Sequence, residues 1–111
     1  MKYQPTQDQQ EASAQAAELL GSQAEGLRKT GSVNTVGALA EYVATLRKIA
    51  QSSELNLTAK EKIDVEQATF VLEGTRDGLL TADFKDRADK IQTLIRSLND
   101  IVERFNATAS E

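Results

Sequence analysis

From Val36 onward apolar residues recur at intervals of three and four, the period of a helix that buries one face, and strand-like alternation is missing. The single proline, Pro5, precedes all of this, so no ring interrupts a later helix. Glycine and polar clusters divide the chain into four segments. They predict helices over roughly 6–30, 34–52, 58–78 and 82–106, with 1–5 and 107–111 disordered. Short connections make consecutive helices antiparallel neighbours. The expected fold is therefore all-α, an up-down-up-down four-helix bundle formed by one domain spanning 1–111.

The segments differ in strength. Thr6-Gln7-Asp8-Gln9 has the form of a capping box, and Arg28, Lys29 and Gly31 signal the first helix's end. Its stripe of Ala12, Ala16, Leu20, Ala24 and Leu27 is thin, and Gly21 and Gly26 weaken it further. In the second segment Val36, Leu39, Val43, Leu46 and Ala50 keep a 3-4-3-4 spacing, with Tyr42 and Ile49 beside them. A second capping box, Thr58-Ala59-Lys60-Glu61, opens the third segment. There Val65, Ala68, Leu72 and Leu79 form one stripe, while Ile63 and Phe70 form another, which predicts contact on two sides. The fourth segment is the most regular: Phe84, Ala88, Ile91, Ile95, Leu98, Val102 and Phe105, flanked by Leu94 and Ile101. Asp83/Arg87, Asp86/Lys90 and Asp100/Arg104 stand four apart, as ion pairs on a helix surface would.

Composition removes functions more readily than it adds them. Cysteine, histidine and tryptophan are absent, which excludes thiolate metal sites, a Cys nucleophile, the commonest general base and His phosphotransfer. A net charge of −4, from 17 acidic and 13 basic residues, speaks against nucleic-acid binding. No stretch approaches the ~20 apolar residues of a membrane span, so no membrane insertion is expected. The first residues contain no apolar signal core, which leaves a cytoplasmic location or an extracytoplasmic one after signal removal.

The remaining candidates for chemistry are carboxylates. Glu61 and Asp64 have E-x-x-D spacing, and Asp83, Asp86 and Asp89 follow at intervals of three. The first pair resembles one of the carboxylate motifs of all-α nucleotide pyrophosphatases, which implies Mg²⁺-dependent hydrolysis. No E-x-x-E precedes Glu61, however, and capping and helix-dipole roles account for these side chains. In length and architecture the chain is also similar to haem-binding bundles of the cytochrome b562 type. Without histidine and with Met1 as the only methionine, it transfers no ligand set. No cofactor is expected. Gly74-Thr75-Arg76-Asp77-Gly78 fits G-x-x-x-G, read here as a close-packing or helix-ending feature.

The sequence accordingly predicts a non-enzymatic, protein-binding bundle (an adaptor, assembly factor or small inhibitor), monomeric or weakly homodimeric. Leu19, Leu20, Leu27, Ile63 and Phe70, on helices one and three or in the groove between them, are the candidate anchors. The alternative is a bundle sensing a small ligand, with Asp64, Gln67 and Thr75 as an internal polar pocket. A Mg²⁺-dependent nucleotide hydrolase ranks third.

Overall fold

Thr6 lies in extended conformation and caps α1 (Gln7–Arg28): its hydroxyl accepts from the Gln9 amide, and the Gln9 side chain accepts from the Thr6 amide. The computed structural model describes residues 4–31, 33–52 and 57–109, with side chains through residue 104. Thr58 and Glu61 repeat the reciprocal cap at the start of α3 (Ala59–Thr81). Between these lies α2 (Val33–Gln51), and α4 (Lys85–Ala109) completes the fold. Ser32 lies outside the described residues, as do 1–3, 53–56 and 110–111.

Cross-helix hydrogen bonds fix the directions. Gln10 at the start of α1 donates to the Ser52 carbonyl just past α2, at 2.8 Å. Lys48 late in α2 pairs at 2.8 Å with Glu61 in the first turn of α3. Arg76 of α3 donates to Gln92 of α4, and Gln9 of α1 donates to Asp100 near the far end of α4. Neighbours therefore run antiparallel, and the four helices form a bundle in which α1 and α3 stand diagonally.

The core is built as the periodicity requires. Leu20, Leu46, Ile49, Val65, Leu72, Leu98 and Ile101 are fully buried, with Ile91, Leu94 and Ile95 close behind. Leu57 also joins this core from the connection before α3. Ala12, Ala16, Ala17 and Ala24 bury the inner side of α1. Small side chains let backbones approach closely, and α1 packs far more extensively on α2 than on α4. At the start of α1 Gln9 and Ser13 are buried; Ser13 donates to the Gln9 carbonyl of its own helix.

Several boundaries and faces differ from expectation. The first helix ends at Arg28, and Gly31 takes φ 82° three residues later. The third runs through Gly78 to Thr81, so the G-x-x-x-G glycines neither end the helix nor pack closely. A Cβ added to Gly74 or Gly78 would meet nothing within 4 Å. At its C-terminus the Phe84 amide donates to Leu79 (2.8 Å) and the Asp83 amide to Leu80 (3.1 Å), with Asp83 at φ 67°. This is a Schellman ending, in which the left-handed residue is usually glycine. It moves the start of α4 to Lys85 and leaves Phe84 half exposed instead of leading the core stripe. The fourth helix continues to Ala109, beyond the expected stop at 106.

Candidate functional site

Residues four apart on a helix stay on one face only over short stretches, and a helix in a four-membered bundle has neighbours on two sides alone. The Val65–Ala68–Leu72 stripe of α3 takes the inward position, so Ile63 and Phe70 turn outward and are 51% and 60% exposed. α2 and α4 do flank α3 on two sides, but neither covers Ile63 and Phe70. They stand seven positions apart, about 10.5 Å along the axis, with the exposed Gln67 between. They form an apolar stripe on the outer surface of α3.

The other three anchors lie elsewhere. Leu20 is fully buried and offers no surface to a partner. Leu19 and Leu27 are partly buried and pack against the core from α1. Because α1 and α3 are diagonal, no groove runs between those two alone; the Gln23 side chain reaches across to the Thr75 hydroxyl at 2.9 Å.

The three polar candidates do not converge either. Asp64 is buried and accepts from Thr45 of α2 at 2.9 Å and from Lys60, one turn earlier, at 3.3 Å. Gln67 faces solvent, and Thr75, about 16 Å along the axis from Asp64 at 1.5 Å per residue, donates to the Val71 carbonyl. Asp64 is thus a satisfied cross-link between α2 and α3. Lys60 also approaches Glu41 at 3.6 Å; its bond to Asp64 holds its pKa above the ordinary value against slight desolvation. For Glu61 desolvation pushes upward, but the bonds from Lys48 and the Thr58 amide outweigh it and hold the carboxyl below its usual range. The E-x-x-D pair is therefore divided between two separate networks. Among the described residues no three metal-ligating side chains gather, and no helix is long and apolar enough to cross a membrane.

Sequence reasoning missed a concavity between α1 and α4. Gln15, Glu18, Leu19 and Ser22 of α1 face Arg87, Lys90, Ile91 and Leu94 of α4 across a groove of about 510 Å³, with Thr75 and Leu79 of α3 at its base. Each wall has the i, i+3, i+4, i+7 spacing of one helix face. The groove lies on the seam where α1 packs less extensively, on α4 rather than on α2. Leu19 and Thr75 had been singled out separately, but nothing in the sequence joins them to Arg87 and Lys90. Comparison with known protein families, curated proteins and solved structures finds no match to this chain.

Proposed function

We propose that the chain is a non-enzymatic helical bundle that binds another protein through the outer face of α3, as an adaptor, assembly factor or small inhibitor. The supporting observation is the exposed Ile63–Phe70 stripe. Leaving two large apolar side chains in water forgoes about 1.5–3 kcal/mol each relative to full burial. The core gains nothing from them, and aromatic residues are favoured anchors at protein interfaces. The experiment places a photoreactive residue at position 67, between the two, and as a control at the exposed Asn99 of α4. In extract of the source cells, position 67 is expected to yield a discrete adduct that position 99 does not. Ile63→Asp with Phe70→Asp should abolish it while leaving the helical circular dichroism unchanged. Equal adducts at both positions, or an adduct indifferent to these substitutions, would refute the reading.

A second reading, a bundle that holds a small molecule between its helices, is favoured by the α1–α4 groove. Its volume falls within the ~300–1,000 Å³ common for ligand sites. Of the polar residues first assigned to such a pocket, only Thr75 lines it.

A further inference from the structure

The groove between α1 and α4 has a distribution of charge that its apolar floor does not require. Leu19, Leu79, Ile91 and Leu94 make the floor, and Arg87 and Lys90 stand on the α4 wall towards the α3–α4 turn. In a surface helix these two cations should neutralise the carboxylates one turn earlier. They do not. Arg87 lies over the Phe84 ring, 5.4 Å from its centre, and neither Arg87 nor Lys90 forms an ion pair among the described residues. The cause for Arg87 is local: Asp83 sits in the left-handed position of the helix ending, outside α4, and approaches Lys85 instead. Facing them across the groove is one carboxylate, Glu18, so the three charged lining groups sum to a single positive charge.

We propose that this groove binds a small amphipathic monocarboxylate, its carboxylate between Arg87 and Lys90 and its apolar chain along Leu19, Leu79, Ile91 and Leu94. The proposal rests on the second reading above and names the ligand class for it. A monoanion matches the net charge of the lining, and the guanidinium fork suits a carboxylate. From Arg87 to Leu94 the α4 wall rises about 10.5 Å. An extended chain of about eight to ten carbons covers that length at C–C bonds near 1.5 Å. Partly buried Leu19 and Leu79 would then exchange water for the chain, the usual source of affinity in such sites.

The test is an NMR titration of the whole ¹⁵N-labelled chain with decanoate, decylammonium and decanol, each below its self-association concentration. Decanoate is expected to shift amides of Leu19, Thr75, Leu79, Lys90, Ile91 and Leu94 and to bind at least tenfold more tightly than decylammonium. Arg87→Gln with Lys90→Gln, both at exposed positions, should weaken decanoate at least tenfold without changing the rest of the spectrum. If decylammonium or decanol binds the same amides as well as decanoate does, or the double substitution has no effect, the assignment of an anion is overturned while the groove remains a ligand site. If none of the three shifts these amides, both the anion and the second reading fall.

Discussion

At the level of single residues, two side chains carry backbone or charge duties that can be separated by substitution. Asp83 holds φ 67°, a conformation that costs an L-residue roughly 1–2 kcal/mol, less for Asp, and glycine almost nothing. Since Asp83 is exposed and its ion pair with Lys85 is stretched to 4.0 Å, Asp83→Gly should raise stability by up to ~1 kcal/mol in urea unfolding. An unchanged or lowered midpoint would show that the side chain, not the backbone, matters there. Glu61 combines a capping role with a charge role. Its folded pKa is depressed, so the stability it contributes is present above the ordinary carboxylate pKa of ~4.3 and is lost as pH falls through the folded value. Gln9 performs the same capping in α1 as an uncharged amide, so Glu61→Gln keeps the box and removes the titration. The melting temperature of this variant should fall less steeply than that of the parent between pH 5 and 2; parallel curves would assign the acid limb to other carboxylates.

Among the elements, α1 shows most clearly what local signals convey. Its cap and its alanine stripe were readable because both depend on residues within a turn or two. Its close seating on α2 was not, since a sequence rich in alanine reads as weak until a partner surface is known. Gly26 remains a real weakness: it is exposed within the helix, and a Cβ there would meet nothing within 4 Å. Gly26→Ala should stabilise the chain by ~1 kcal/mol in thermal or urea unfolding. A loss instead would mean that α1 needs to bend at that point. The other misreadings have the same origin. Asp83 and Arg87 stand four apart, but a helix ending between them cancels the geometry that spacing implies. Phe84 continues the apolar period of α4, yet its amide is engaged in closing α3. For Ile63 and Phe70 periodicity reports two apolar faces without saying that a bundle covers only one of them.

For the whole molecule, Leu98 lies in the central buried cluster to which all four helices contribute. Truncating it therefore removes contacts shared by the assembly, and Leu98→Ala should cost ~2–5 kcal/mol in chemical denaturation. A loss under half a kilocalorie would put that face of α4 outside the core. The up-down-up-down order was legible from connection length alone, because helices joined by a few residues have nowhere else to turn. The unequal spacing of the helices was not legible, since it depends on which pairs are drawn together by small side chains. The α1–α4 groove brings together residues of three helices and could be found only in three dimensions.

Both capping boxes stand at the same end of the bundle, and each lends its third residue to a neighbouring helix: Gln9 to Asp100, Glu61 to Lys48. Gln10 with Ser52 and Thr45 with Asp64 tie the same half. In a body 42 Å long this gives breathing a direction. The other half has fewer ties, Gln23 with Thr75 and Arg76 with Gln92, and there the α1–α2 and α3–α4 hairpins can tilt apart as two covers about the tied end. Arg87 and Lys90 stand near the open edge of these covers. Amide exchange should then grade along the bundle axis, slow near Gln9 and Glu61 and faster towards Leu27 and Lys85, and a molecule held at the open edge would slow that motion without touching the tied end.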